Sequence, residues 1–281
     1  MFRITRKEQL NQNTVRLDIQ APKIAKKALP GQFVIIRPDE HGERIPLTIA
    51  GNDPISETVT VIFQAVGATT MQIADLNEGD FLLDVVGPLG NASELDGFKK
   101  VAVIGGGLGC AIAYPQAKYL LANGCEVDMI AGFRCKDLII LEDEMKSASN
   151  RLFVCTDDGS NGNKGLVTNI LKELIDSGNK YDAVIAIGPV IMMKFVSKLT
   201  KEYGIKTIVS MNPIMIDGTG MCGGCRVTVG GRMKFACVDG PDFDGHEVDF
   251  DELMSRNGMY REYEAERCNL FKMAKEKRNN G

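Results

Sequence analysis

Three cysteines set the first chemical constraint. Cys222 and Cys225 are separated by two residues, and Cys237 follows after eleven more, within IDGTGMCGGCRVTVGGRMKFACVDG at 216–240. Thiolates are soft donors that suit zinc or an iron–sulfur cluster. Gly218, Gly220, Gly223 and Gly224 let a short loop wrap tightly and turn backbone N–H groups toward bridging sulfides. A fourth ligand is then needed. Asp217 is the nearest candidate upstream, and Cys268, about thirty residues past Cys237, is its rival. Spacing alone leaves a structural zinc knuckle open beside a [2Fe–2S] centre. The other four cysteines, Cys110, Cys125, Cys135 and Cys155, are scattered and read as small buried residues.

A second set of residues suits nucleotides. GGGLG at 105–109 places Gly105, Gly106, Gly107 and Gly109 where an apolar strand meets a helix. Glycine there lets the backbone approach a pyrophosphate, and the helix N-terminus favours its charge. With Gly105 and Gly107 as the first two glycines of a dinucleotide fingerprint, Cys110 takes the third place, where Gly or Ala is expected. Arg134 in GFR (132–134) and Gly188–Pro189 in IGPVIMM (187–193) are companions, the latter at a strand end that would cover a nicotinamide. Asp157 and Asp158 follow another strand end and would repel a 2′-phosphate, which favours NAD(H) over NADP(H).

A third set lies near the N-terminus, in PGQFV (30–34), RIPLTIAG (44–51) and VGATT (66–70). Arg44, followed by Pro46, Leu47 and Thr48, can hold a phosphate through its guanidinium fork, with the Thr48 hydroxyl turned to an isoalloxazine edge. Gly67, Thr69 and Thr70 would offer amides and hydroxyls to a pyrophosphate. Taken alone, these are also ordinary turn residues.

The elements that must position these groups change character along the chain. FRIT, VRLDI, FVIIR, LTIAG and VTVIFQAV alternate and are punctuated by Pro22, Pro30, Pro38, Pro54 and Pro88, the pattern of a small antiparallel β-barrel over 1–98. A short helix near Thr70–Leu76 would cap one end. From VAVIG (101–105), strands buried on both faces alternate with helices: EVDMIAG (126–132), RLFVCT (151–156), DAVIAIG (182–188) and KTIVS (206–210). That rhythm predicts an α/β doubly wound parallel sheet over 99–212. Helices are predicted from Gly109 to Leu121, Asp137 to Ser147, Gly165 to Asp176 and Met192 to Tyr203. The cysteine-rich stretch, one hairpin (RVTV, GGR, MKFAC) and a single charged helix from Asp249 to Lys277 make up a small C-terminal module, 213–281.

Taken together, this order resembles the ferredoxin–NADP reductase superfamily. The resemblance is to the branch holding the electron-transfer subunit of dihydroorotate dehydrogenase B and the small subunit of NADH-dependent reduced ferredoxin:NADP oxidoreductase, some members of which are named sulfide dehydrogenase subunits. It rests on PGQFV, RIPLTIAG, GPLG (87–90), VIGGGLG, DGTGMCGGCRV and FACVDGPDFDGHEVDF (235–250). It implies FAD at Arg44, Pro46, Leu47 and Thr48 with Gly67, Thr69 and Thr70 at its phosphates, NAD(H) on the second domain, and a [2Fe–2S] cluster at Cys222, Cys225 and Cys237. The dihydroorotate branch uses a fourth cysteine where this chain has Asp217; a carboxylate there implies the bifurcating transhydrogenase. VGATT departs from the Gly-x-Gly-Thr form often seen at the flavin pyrophosphate. The implied partner is a larger glutamate-synthase-like flavoprotein with [4Fe–4S] clusters, and ferredoxin is reached through the complex. Hydride exchange between NAD(H) and a flavin needs no acid–base residue, and neither His41 nor His246 is assigned a catalytic role.

Bulk properties agree with a cofactor-carrying globular chain. The 281 residues suffice for two compact domains and an appended module. A formal charge of −4, from 33 Lys and Arg against 37 Asp and Glu, gives no footprint for nucleic acid. No apolar run is long enough to span a bilayer, and the polar, alternating N-terminus does not read as a signal peptide, so a cytoplasmic location is expected. A zinc-stabilised nucleotide-binding regulator without redox turnover is the rival of another class.

Overall fold

The computed structural model describes residues 1–279. Alternation builds the first layer. Strands β1 (Phe2–Gln9), β2 (Thr14–Gln20), β3 (Phe33–Arg37), β4 (Ile45–Asp53), β5 (Thr58–Gln64), β6 (Phe81–Leu82) and β7 (Asp84–Leu89) form one antiparallel sheet in the order β6-β1-β2-β5-β4-β3-β7. In β2, Val15, Leu17 and Ile19 are buried, while Arg16 and Asp18 between them are partly exposed. The sheet curls around a core that includes Ile4, Val34, Ile36, Val61 and Phe63. Two short helices, α1 (Pro22–Ala25) and α2 (Ala68–Asp75), complete the barrel.

Beyond Lys99 the period changes. Strands β8 (Lys100–Gly106), β9 (Glu126–Phe133), β10 (Arg151–Thr156), β11 (Ala183–Ile187) and β12 (Lys206–Ser210) are all parallel, in the order β10-β9-β8-β11-β12. Val101, Ala102, Val103 and Ile104 are fully buried because helices cover both faces of this sheet. Those helices are α3 (Gly109–Ala122), α4 (Glu142–Ser147), α5 (Val167–Asp176) and α6 (Val190–Glu202). In α5 the buried Val167, Leu171 and Leu174 recur at helical spacing, which fixes the face it turns inward.

The remaining chain folds back on both domains. A hairpin of β13 (Arg226–Val229) and β14 (Arg232–Phe235) leads to β15 (Asp242–Asp244), which joins β12 antiparallel at the sheet edge. Helices α7 (Phe250–Asn257) and α8 (Arg261–Asn279) follow.

Three local readings change. The single helix expected from Asp137 to Ser147 is interrupted: Leu141 adopts φ 55°, and only 142–147 is α-helical. That kink buries the adjacent Ile140 and Leu141 together. The expected terminal helix is two helices, parted at Gly258–Tyr260. Helix α6 begins two residues before Met192, directly after Pro189, whose fixed φ suits a helix entry.

One buried carboxylate ties the three regions together. Asp242 on β15 lies opposite Ser210 on β12 and accepts from Ser93 Oγ at 2.5 Å and Gln116 Nε2 at 3.5 Å. Its Oδ1 and the Gln116 Oε1 are each buried without a hydrogen-bond partner among the described residues. Burial pushes the Asp242 carboxyl above its ordinary range, so the protonated form can supply the missing donor. A folded-state pKa above the unfolded one means the native state binds the extra proton. Its stability contribution therefore falls as pH rises from the ordinary carboxylate range through the raised value. Asp242→Asn, whose amide carries its own donor, is expected to match or exceed the wild-type melting temperature at pH 8 and to flatten this slope. Thermal melts across pH check it; a melting temperature lowered by the substitution at pH 8 refutes the neutral-acid assignment.

Candidate functional site

A cleft with a cavity volume of about 1520 Å³ opens between the barrel and the parallel sheet. Typical single-ligand pockets measure roughly 300–1,000 Å³, so this one has room for more than one ligand. Thr48 and Gln64 line it from the barrel; Gly106, Gly107, Arg134 and Pro189 line it from the carboxyl ends of the parallel strands. That is where open α/β sheets bind ligands.

The four glycines of the β8–α3 turn divide the work. A Cβ at Gly105 would sit 2.7 Å from the Cys110 Sγ, and one at Gly109 would meet the Ile187 carbonyl oxygen at 2.2 Å. These two let α3 pack against the sheet, which explains why a small, fully buried Cys110 fills the third fingerprint place. Gly106 faces Met192 and Pro189. Gly107, with φ 55°, has open space where a Cβ would be. Helix α3 has no side-chain N-cap, and while the Cys110 and Ala111 amides donate back to the Gly107 and Leu108 carbonyls, those of Leu108 and Gly109 have no backbone partner among the described residues and can meet a ligand. A cradle of this shape fits the pyrophosphate of NAD(H). Asp157, Gly109 and Gly188 line the same cleft. Asp157→Ser is expected to narrow the preference for NADH over NADPH by roughly tenfold, because a carboxylate near a 2′-phosphate costs on the order of 1 kcal/mol or more. Binding titrations with both nucleotides check this; an unchanged ratio would remove Asp157 from the specificity site.

The flavin-set residues divide between faces of β4. Pro46 pairs with Ile35, Leu47 with Val34 and Thr48 with Phe33. Leu47 packs against the barrel core, so its side chain is turned away from Thr48. Arg44, just before the strand, donates from Nε to the Ile216 carbonyl at 3.0 Å and thereby joins the barrel to the cysteine loop. From Thr48 at the cleft to Arg44 the strand spans about 13 Å. A ligand touching both is elongated along β4, as a dinucleotide flavin is. At the start of α2, the Thr70 hydroxyl accepts from Gly67 N at 2.8 Å and Val66 N at 3.1 Å and donates to the Gly67 carbonyl oxygen. Thr70 is thus occupied in capping the helix. Thr69 opens onto a separate, smaller cavity and does not line the cleft.

The cysteine loop gathers its donors unevenly. Cys225 and Cys237 are buried with their sulfurs 3.2 Å apart, while Cys222 is exposed on the same loop. Asp217 accepts from Thr219 N at 2.9 Å and Cys222 N at 2.7 Å, and these amides hold its carboxyl below the usual range. Gly218, Gly220 and Gly223 all take positive φ, conformations that side chains disfavour. Among the described residues no three metal-ligating side chains close into a finished shell. Burial, with the neighbouring Cys225, pushes the Cys237 thiol up to about 12; a metal centre would displace such protons. Three soft donors on a glycine-shaped loop fit a [2Fe–2S] cluster. Cys268, the rival ligand, lies instead 3.6 Å from the Val66 carbonyl oxygen at the barrel. Cys110, Cys125 and Cys155 are buried, and Cys135 is half-buried.

Sequence reasoning missed Asn13, Gln64, Ser210 and Asn212, all at the cleft. Ser210 was findable, since it ends a parallel strand at its carboxyl edge. His246 holds Thr200 Oγ1 at 3.1 Å, outside the cleft.

Comparison with known proteins matches these features. The model of the iron–sulfur cluster binding domain of dihydroorotate dehydrogenase B matches residues 212–249, the cysteine loop through β15. A Thermotoga maritima homologue of the dihydroorotate dehydrogenase B (NAD(+)) electron transfer subunit is 49% identical, covering 93% of this chain and 92% of its own. The Clostridium perfringens electron transfer subunit itself is 34% identical over 78% of this chain and 87% of its own. A solved structure of the NADH-dependent reduced ferredoxin–NADP oxidoreductase, described in connection with flavin-based electron bifurcation, is 46% identical. It covers 96% of this chain and 98% of the matched one, with a TM-score of 0.91. The chain belongs to the family of dihydroorotate dehydrogenase B electron-transfer subunits and their homologues.

Proposed function

We propose that this chain is the NAD(H)-using, FAD- and [2Fe–2S]-carrying electron-transfer subunit of a bifurcating NADH-dependent reduced ferredoxin–NADP oxidoreductase. One observation carries the reading: the likeness to that oxidoreductase extends over nearly the whole of both chains at 46% identity. When bound, the flavin exchanges a hydride with NAD(H) and the cluster passes single electrons.

The protein's own part is placement. The Leu108 and Gly109 amides, beside the open space at Gly107, would hold the dinucleotide, and Asp157 would select against a 2′-phosphate. Thr48 and the β4 strand would hold the flavin in the same cleft. Arg44 ties β4 to the loop bearing Asp217, Cys222, Cys225 and Cys237, which keeps entry and exit of electrons in fixed register. The proposed partner is a larger glutamate-synthase-like flavoprotein with [4Fe–4S] clusters, through which ferredoxin is reached.

A second reading, the electron-transfer subunit of dihydroorotate dehydrogenase B, is supported by the cluster-domain match at 212–249. Anaerobic affinity purification from the native host, with mass spectrometry of the co-purifying chain, separates the two. A glutamate-synthase-like flavoprotein supports the transhydrogenase. A barrel-type dihydroorotate dehydrogenase assigns the chain to the second reading and makes Asp217 a misleading guide.

A further inference from the structure

The charged C-terminal helix has the composition of a solvated surface, yet it does not stand free. Lys275 Nζ pairs with Asp75 Oδ1 of α2 at 2.5 Å, and Cys268 meets the Val66 carbonyl just before α2. Arg267, Phe271 and Lys275 recur every four residues, so one stripe of α8 lies along α2. Between the helices is a second cavity of about 150 Å³, lined by His41, Thr69 and Gln72 on the barrel side and by Arg267, Leu270 and Phe271 of α8.

Two features of this cavity point to an anion. Thr69, in the first turn of the eight-residue α2, is only 7% exposed, and its hydroxyl has no hydrogen-bond partner among the described residues. Arg267 has no carboxylate within ion-pair distance among the described residues. Arg267 lines this small space together with Thr69 and Ala68 of the first turn of α2, a set of groups that suits a phosphate. One carboxylate, Glu43, lines the cavity as well. The Asp39 carboxylate beside it is occupied by the His41 and Gly42 amides and by Gln72.

We propose that α8 forms the outer wall of the flavin phosphate site, with Arg267 contributing a charge-assisted contact to a phosphate of bound FAD. This rests on the FAD reading above and adds to it a residue from the far end of the chain. Arg267 would act in binding, with no part in the redox step.

The test uses full-length protein stripped of flavin, titrated with FAD and separately with riboflavin, which carries no phosphate. In Arg267→Ala the dissociation constant for FAD is expected to rise roughly tenfold to a hundredfold, with riboflavin unchanged. Arg267→Lys should recover part of the loss, and Glu43→Gln should tighten FAD. Arg267 is exposed, so far-ultraviolet circular dichroism and melting temperature should stay at wild-type values. An unchanged FAD constant in Arg267→Ala, or an equal loss for FAD and riboflavin, overturns the inference while leaving the flavin reading intact. A wild-type protein that binds no flavin at all overturns both.

Discussion

Cys225→Ser is expected to lose nearly all of its iron while keeping its flavin and most of its NADH affinity. Cys225 is 1% exposed, with its sulfur 3.2 Å from that of Cys237. Serine replaces a soft thiolate by a hard, weakly acidic oxygen, and buried, partnered ligands tolerate such changes poorly. Losing a direct ligand should lower metal affinity by at least about 100-fold, since even outer-shell partners are worth about 10–100-fold. The nucleotide cleft is lined from the barrel, from the ends of β8, β9, β10 and β11 and from α5 and α6, none of which contains Cys225. NADH should therefore still bleach the flavin of the variant, whereas electron transfer routed through the cluster to a protein partner should collapse. Iron and flavin analysis per chain, with stopped-flow absorbance, reads both halves. Retained iron would remove Cys225 from the ligand set. Asp217 differs in kind: its carboxylate already braces the loop through the Thr219 and Cys222 amides, so its loss should loosen the loop as well as remove a donor.

The second large effect concerns stability. Asp128, in β9, is fully buried and accepts from Arg151 Nε at 2.7 Å and the Tyr181 hydroxyl at 2.7 Å, with Lys100 Nζ 4.0 Å away. Asp128→Ala strands the Tyr181 hydroxyl, while Arg151, partly exposed and still bonded to Asn179 Oδ1 at 2.9 Å, can hydrate. Leaving a buried polar group unpaired costs about 1–3 kcal/mol, which for a chain of this size lowers the melting temperature on the order of 5 °C. Gly132, where β9 reaches the cleft, is about 13 Å along the strand from Asp128. NADH affinity measured below the melting transition should therefore remain at wild-type level. A pH signature accompanies this. Burial pushes the Asp128 carboxyl up, but Arg151, Tyr181 and Lys100 together hold it below the usual range. The stabilisation is complete above the ordinary carboxylate range and is lost as pH falls through the depressed value, the opposite slope to that of Asp242. A variant that melts with the wild type would show the network to be dispensable.

These two aspartates also mark how much the sequence could say. The β8–GGGLG–α3 unit was legible because a continuous apolar strand followed by glycines admits few other structures. The strands FVIIR, RLFVCT and KTIVS emerge with the bounds read from composition. The cysteine loop was legible from donor type and spacing. Strand β15 was not, because three residues, Asp242–Asp244, carry no apolar pattern and are ordered by pairing with β12. The junction around Asp242 was hidden for the same reason: its partners Ser93, Gln116 and Ser210 come from three separate elements. Helix α8 lacks a strongly apolar face, so its packing on α2 depends on Lys275, Cys268 and a few apolar side chains that no periodicity reveals. Thr70 read as a ligand residue and turned out to cap its own helix, a use its position at the third helical residue makes natural.

The central claim is that electrons from NADH enter at the interdomain cleft and leave at the cysteine loop. Anaerobic titration of the purified chain with NADH, followed by visible absorbance and by low-temperature electron paramagnetic resonance, tests it most directly. The purified protein should carry about two irons and one flavin per chain, given the donor set. NADH should bleach the flavin and bring up the signal of a reduced [2Fe–2S] centre, and NADPH should act far more weakly. A colourless, zinc-containing protein, or one whose flavin is reduced by NADH while the iron centre cannot be reduced by any route, would contradict it.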